Sequence, residues 1–336
     1  MKKIVVTRLQ NLGDSVMATP ILHGLKKLHP EAKLIFITRP EGVPPVARLP
    51  FVDQVLVFPD KKTFAAQWAA LKAFKGADIV LHIDTTHRVS VLSWLARAKE
   101  RVGVKLRRGM YLTDGVDWDK EMDFRFDPIN YAGILKQTTG VDIMQEPGWD
   151  KYYYSEATTA EKEHVAVLAR ERHLDLEQPF IAFSMYTGIR AKNWPEQKWQ
   201  ELWAKLREKF RLPAVMTGAN PQKLNLGPNV IDFTGVTNPY EFGYLVKKAV
   251  LVMSGCSAPI HIARAVGTPM ICLYGPTPPG IAVPPEIVAA ITSKADCSPC
   301  NGYCSGPCKT PFCMDMITVD EVYAAVAKFL TEKGIK

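Results

Sequence analysis

Hydrophobic and polar positions alternate between two periods along this chain. Short apolar runs over 3–7, 33–38, 54–58 and 79–83 read as strands. Between and after them, apolar positions recur at helical spacing over 15–28, 63–74 and 89–98. Such alternation predicts a parallel sheet with helical crossovers. The segment over 145–154, with Pro147 and Gly148 inside it, breaks the alternation and is a candidate linker. A helix is predicted over 159–171, and the pattern then restarts. Strands fit 180–184, 214–217, 230–232, 251–254 and 270–274, and helices fit 195–209, 240–248 and 259–266. Two doubly wound α/β halves with a cleft between them follow. A last helix over 319–333 has no evident place in either half.

The stretch from Arg8 to Val16 joins the first strand to the first helix. A strand turning through Gly13 into a helix places Asp14 at the helix N-terminus, at the carboxyl edge of a parallel sheet. Open α/β sheets bind ligands at that edge. A carboxylate there is either an N-cap or a catalytic base.

Three loops of the second half also fall at predicted strand ends. The first, over 184–195, carries Thr187, Gly188, Arg190 and Lys192 and ends with Pro195 at a helix start. Lys192 there is either a solvated loop lysine or a phosphate contact. The second turns through Thr217 and Gly218, where small residues let backbone approach a ligand. The third, Cys256, Ser257 and Ala258, opens a helix whose N-terminal dipole favours an anion, with His261 in its first turns. A structural and a functional histidine are equally consistent with that position. No G-x-G-x-x-G or G-x-x-x-x-G-K-[ST] pattern occurs, which weighs against dinucleotide dehydrogenases and P-loop enzymes.

Charge changes the picture locally. The net charge is +8 over 336 residues. Arg88, Arg97, Lys99, Arg101, Lys105, Arg107 and Arg108 crowd one stretch opposed only by Glu100. It is either a solvated face or a dock for a phosphorylated acceptor or anionic headgroups. No helix-turn-helix or RNA-binding aromatic motif is present, so nucleic acid is not expected as a partner. The apolar part of the N-terminus is too short for a signal peptide. No later run reaches the ~18 apolar residues of a membrane span. A cytoplasmic location is expected.

In this order the motifs resemble those of glycosyltransferase family 9, the bacterial ADP-heptose:lipopolysaccharide heptosyltransferases. The opening R-x-x-x-L-G-D-x-[VIL]-x-x-[TA]-P is met by Arg8, Leu12, Gly13, Asp14, Val16 and Pro20. The K-x-W-P element is met by Lys192, Trp194 and Pro195. Ser257, Pro259, His261, Ala263, Ala265, Gly267 and Pro269, then Tyr274, Gly275, Pro276 and Thr277, meet the late pattern. The resemblance implies a GT-B fold of two Rossmann-like domains facing a cleft. Residues 1–150 would bind the acceptor. Residues 151–318 would bind the nucleotide sugar, and 319–336 would form the final helix. It implies inverting, metal-independent transfer of a heptose from ADP-heptose to a phosphorylated glycolipid of the lipopolysaccharide inner core or a related surface glycan. Asp14 would be the general base, and Lys192 with the helix at Ser257–His261 would stabilise the leaving diphosphate. Gly13, Thr187, Gly188, Thr217, Gly218, Cys256, Ser257, Ala258 and His261 would line the donor site. Arg97, Arg101, Arg107 and Arg108 would contact acceptor phosphates or the inner face of the cytoplasmic membrane, helped by Phe64 and Trp68 beside Lys61 and Lys62.

Two departures touch the donor pocket. Cys256 stands where the family has Asp, and a thiol lacks a carboxylate's charge and acceptor capacity. The loop after Gly218 carries Gln222 and Lys223 where a ribose-binding glutamate is expected. These changes keep open a transferase with another nucleotide sugar, a non-catalytic nucleotide-sugar or glycan-binding protein and, remotely, a GT-B epimerase.

Five of seven cysteines, Cys297, Cys300, Cys304, Cys308 and Cys313, share one loop. In a cytoplasmic protein such a cluster suits structural zinc or iron, with free thiols, a disulfide or a redox role as alternatives. Cys297, Cys300, Cys308 and Cys313 are the expected ligands, with Cys304 as the substitute. No catalytic role is expected for them.

Overall fold

Apolar residues in successive strands bury both faces of a sheet, and only crossovers that return over those faces can cover them. The computed structural model describes residues 2–58, 63–117, 127–221, 224–279, 287–300 and 312–336. The chain divides into two compact units, Met1–Ser155 and Glu156–Lys336. The first runs β1 (Lys3–Arg8), α1 (Leu12–Leu28), β2 (Lys33–Thr38), β3 (Gln54–Val57), α2 (Phe64–Phe74), β4 (Ile79–His82), α3 (His87–Leu95), β5 (Glu100–Val104), β6 (Asp114–Val116) and α4 (Asp127–Thr139). The second runs α5 (Thr159–Glu171), β7 (Ile181–Ser184), α6 (Glu196–Lys209), β8 (Ala214–Met216), β9 (Val230–Asp232), α7 (Pro239–Lys248), β10 (Leu251–Gly255), α8 (Ala258–Val266), β11 (Met270–Tyr274), β12 (Ile287–Thr292) and α9 (Val319–Glu332).

Among the described residues both sheets are parallel and six-stranded, in the orders β3-β2-β1-β4-β5-β6 and β12-β11-β10-β7-β8-β9. These are the same doubly wound order. In each unit the strand order reverses between the first and fourth strands, β1 and β4 or β7 and β10. The crevice at their carboxyl ends is the site such folds use for ligands.

In the first unit Ile4 and Val6 pack with Ile21, Leu22 and Leu25 of α1 and with Ile134 and Leu135 of α4. Val5 points the other way, toward Phe74 of α2 and Val89 of α3. In the second unit Ile181 and Phe183 lie under Trp199, Trp203 and Leu206 of α6 and Val322, Val326 and Leu330 of α9. The last helix, unplaced by sequence, therefore closes the core of the second unit. Trp194 Nε1 ties the approach to α6 to the Ile317 carbonyl just before α9, at 3.0 Å.

Several elements differ from expectation. Helix α1 begins at Leu12, so Gly13 is inside the helix rather than a turn before it. Pro20 lies within α1, and the Thr19 hydroxyl donates to the Val16 carbonyl that Pro20 cannot reach, at 2.7 Å. Helix α3 stops at Leu95 because Arg97 takes a left-handed φ of 55°. Strands β5, β6 and β12 and helix α4 were not foreseen. No helix among the described residues is long and apolar enough to cross a membrane.

Candidate active site

At the first switch point, β1 ends in Arg8 and α1 begins four residues later, at Leu12. Asn11, not Asp14, is the N-cap residue. Asp14 is the third helical residue, and its Oδ2 accepts the Asn11 backbone N–H at 3.0 Å. Its Oδ1 accepts from Arg8 Nη2 at 2.8 Å. The carboxylate is thus held on both oxygens while its side chain keeps 19% exposure. That combination leaves lone pairs facing outward from a fixed position.

Arg8 is itself fixed. Its Nη1 donates to the Ile83 carbonyl at 2.6 Å, at the end of β4. Its guanidinium lies 5.0 Å from the Tyr131 ring centroid. Burial works against the Arg8 charge, but Tyr131, Asp14, Asp127 and Asp84 outweigh it and strengthen the protonated form.

Beneath the site runs a buried polar chain. Thr7 Oγ1 donates to Asp84 Oδ2 at 2.8 Å and lies 3.0 Å from His82 Nδ1. His82 Nε2 lies 3.0 Å from Ser93 Oγ. Burial, with Arg108 and Arg101 nearby, drives the His82 pKa well below its usual value and keeps the ring neutral. Asp84 Oδ1 accepts the Thr86 amide at 2.6 Å, shaping the turn into α3. Sequence reasoning passed over Asp84, although it stands two residues past β4 as Asp14 stands a few past β1. It also passed over Asp127 and Tyr131, for which the pattern around them gave no signal.

The basic stretch does not form one surface. Arg108, expected to bind the acceptor, is fully buried and donates to the Val104 and His82 carbonyls and to Ser90 Oγ. Arg101 donates to the Tyr111 and Ala98 carbonyls. Both guanidinia are spent on backbone carbonyls, and the full burial of Arg108 corrects its expected role as an acceptor contact. Arg97 and Arg107 remain exposed.

At the second switch point, the loop after β7 folds onto the end of β10. The Thr187 amide donates to Asn193 Oδ1 at 2.7 Å, and a short helical turn, Arg190–Lys192, presents Lys192. A Cβ on Gly255 would lie 2.4 Å from the Lys192 carbonyl, so only glycine permits this approach. Gly188, in the same loop, has open space around its Cα. Thr217 is buried with its hydroxyl 2.5 Å from Ser184 Oγ, and Gly218 follows it. Ser254 Oγ donates to the Ser184 carbonyl at 2.9 Å, stitching β10 to β7. Helix α8 begins at Ala258, with Ser257 as an N-cap whose side chain makes no capping bond. His261 is buried in the second turn. Cys256 is buried and hydrogen-bonded to Cys272, whose thiol burial pushes well up and Lys192 pulls down.

Gln222, Lys223, Cys304 and Cys308 lie outside the described residues. Cys297 is exposed, Cys300 is half-buried with its amide on the Pro276 carbonyl at 3.0 Å, and Cys313 is buried with Sγ 4.0 Å from the Ala191 carbonyl. Among the described residues no group of three or more His, Cys, Asp or Glu is placed to hold a metal ion.

Two tandem Rossmann-type units, one with a fixed carboxylate and the other with a lysine and a helix N-terminus at their switch points, define a GT-B glycosyltransferase fold. A glycosyl transferase family 9 structure from Veillonella parvula DSM 2008 superposes with a TM-score of 0.81 at 20% identity, covering 98% of each chain. The chain belongs to glycosyltransferase family 9 (heptosyltransferase), whose family model matches residues 66–306. E. coli heptosyltransferase WaaC with ADP is similar over 97% of this chain and 99% of that one, at TM-score 0.70 and 14% identity. The iron-containing dodecameric glycosyltransferase TibC from enterotoxigenic E. coli H10407 covers 98% of this chain and 76% of its own, at TM-score 0.63 and 14% identity. Lipopolysaccharide heptosyltransferase 3 of E. coli is 23% identical over 285 residues, 79% of this chain and 81% of that protein.

Proposed function

We propose that this chain transfers a heptose from ADP-heptose to a phosphorylated glycolipid of the lipopolysaccharide inner core or a related surface glycan. In this reading it works at the cytoplasmic side of the membrane and inverts the anomeric centre. The observation that carries the reading is the Asp14 carboxylate, held by Arg8 and the Asn11 amide yet open on its outer side. An acceptor hydroxyl forms its bond to the anomeric carbon as the bond to the diphosphate oxygen breaks. Its proton passes to Asp14, and ADP leaves. A carboxylate within hydrogen-bond reach of the nucleophile suits that task. Lys192 and the first turn of α8 are assigned to the charge that grows on the diphosphate. No metal takes part in these steps.

Thr187, Gly188, Thr217, Gly218 and Ser257 are assigned to the donor because they lie on the loops at the second switch point. Exposed Arg97 and Arg107 are assigned to acceptor phosphates or anionic headgroups. Exposed Phe64 and Trp68, stacked at 6.2 Å, and Trp94, Leu95 and Met110 on the same unit support attachment to a membrane surface. A structural zinc or iron on the cysteine loop is proposed from its thiol content. Elemental analysis of anaerobically purified protein should then find about one metal per chain.

The experiment is acceptor-dependent nucleotide release. ADP-heptose with a phosphorylated Kdo-lipid acceptor should release ADP faster than UDP-, GDP- or CMP-sugars release their nucleotides. Cys256, buried against Cys272 where the family has a carboxylate, favours one second reading: the same transfer from a different nucleotide sugar. Turnover with another donor and none with ADP-heptose would establish that reading and displace the first.

A further inference from the structure

The carboxylate assigned as base does not hold Arg8 alone. Asp127 and Tyr131 lie four residues apart on α4, so both side chains leave the same face of the helix. Tyr131 Oη donates to Asp127 Oδ2 at 2.8 Å. The same Oδ2 lies 3.4 Å from Arg8 Nη2, the nitrogen that donates to Asp14 Oδ1. The Tyr131 ring carries the face of the guanidinium. One nitrogen of one cation therefore serves two carboxylates, each about one-fifth exposed, while Arg8 is 7% exposed.

We propose that Asp127 and Tyr131 form a positioning clamp which, through Arg8, fixes the orientation and the electrostatic surroundings of Asp14. The inference rests on Asp14 being the base. Three features separate the clamp from ordinary core packing. Arg8 Nη1 is anchored on the Ile83 carbonyl, so the guanidinium cannot follow Asp14 if Asp14 moves. Asp127 shares the Nη2 amino group with Asp14, so removing its charge takes one of two carboxylates off the same cation. Tyr131 consumes one lone pair of Asp127 Oδ2 and so limits how fully Asp127 engages Arg8. The charged and titratable groups around the pair are Arg8 from β1, Asp14 from α1, Asp84 from the end of β4 and Tyr131 from α4. Burial raises the Asp127 carboxyl, Arg8 and the Tyr131 hydroxyl lower it, and the negative charge of Asp14 raises it again, with a net rise. Two acids with unlike surroundings around one cation are the arrangement by which sites separate the roles of paired carboxylates.

The test compares Asp127→Asn and Tyr131→Phe with the wild-type full chain in acceptor-dependent nucleotide release across pH. Asp127→Asn removes a like charge near Asp14, so the acid limb of the kcat/KM profile should move to lower pH by about one unit. Tyr131→Phe, which keeps the ring over Arg8, should lower kcat about tenfold with donor KM unchanged. A profile for Asp127→Asn that superimposes on the wild type overturns the clamp. So does a loss in both variants that follows their Tm alone. Asp14→Asn, run beside them, separates the two ideas. If Asp14→Asn keeps full activity, the base assignment fails. The clamp is then decided by the Asp14 carboxyl 13C titration, whose midpoint should differ between wild type and Asp127→Asn. Identical midpoints would overturn it.

Discussion

Gly255 should be the position at which the smallest possible side chain does the most damage to donor handling. It ends β10, and an added Cβ would sit 2.4 Å from the Lys192 carbonyl oxygen and 3.5 Å from Thr187 Cγ2. An ordinary close carbon–oxygen contact is about 3.3 Å. Gly255→Ala therefore requires a separation of about 0.9 Å, and the atom that must yield is backbone. The Arg190–Lys192 turn has little slack, because Lys192 N is bonded to the Ile189 carbonyl and Thr187 N to the Asn193 side chain. Overpacking of this kind costs about 1–3 kcal/mol. For a unit of this size each kcal/mol lowers Tm by roughly 2–4 °C. A displacement near 1 Å of the group assigned to the leaving diphosphate should cost on the order of 100-fold in rate. The assay is steady-state nucleotide release with donor varied, beside a thermal melt. Gly255→Ala should lose about 100-fold in kcat while still folding. A variant with lowered Tm but wild-type kcat and donor KM would refute the reasoning, because the turn would then have moved without consequence for transfer.

Three further outcomes concern stability. Thr318 caps α9 through its hydroxyl, which accepts the Glu321 amide at 3.2 Å, while Glu321 returns a bond to the Thr318 amide at 3.1 Å. Thr318→Ala should cost about 1 kcal/mol, read as a lower urea midpoint, and an unchanged midpoint would show that α9 packing alone fixes that end. Lys294 first, then Thr318, pull the Glu321 carboxyl down to about 2 from 4.5. The contribution of this cap should be complete above pH 4.5 and lost as pH falls through about 2. His82 is held neutral in the fold, so below its unfolded pKa near 6.5 only the unfolded chain takes up the proton, and stability falls with pH. His82→Gln should remove that fall from urea melts, and an unaltered pH slope would contradict the burial argument.

The two sheets were legible because parallel strands buried on both faces are continuous apolar runs, as Ile4, Val5 and Val6 show. Strand β5 escaped because Glu100 and Arg101 open it and Gly103 interrupts it. Gly103 is there because a Cβ would meet the His82 carbonyl at 2.6 Å, a tertiary cause with no local signature. Asp14 was legible as a carboxylate at a strand–helix junction. The groups behind it were not, since Asp127 and Tyr131 reach its partner Arg8 from a helix more than 110 residues further on. The basic stretch misled for a related reason. Charge is visible in sequence, but whether a guanidinium meets solvent or a carbonyl is settled by packing, and Arg108 and Arg101 meet carbonyls. The C-terminal helix is amphipathic in sequence, yet the apolar surface it covers is assembled by α6 and the second sheet only in the fold.

The most direct test of the account is acceptor-dependent turnover of wild type against Asp14→Asn under saturating donor. Asparagine keeps the side-chain shape and one acceptor for Arg8 but cannot take the proton. If Asp14 is the base, kcat should fall by about 10²–10⁴-fold while thermal-shift binding of the nucleotide sugar stays at the wild-type level. Turnover retained by Asp14→Asn would contradict the account, and Asp14 would then be the third residue of a helix cap and nothing more.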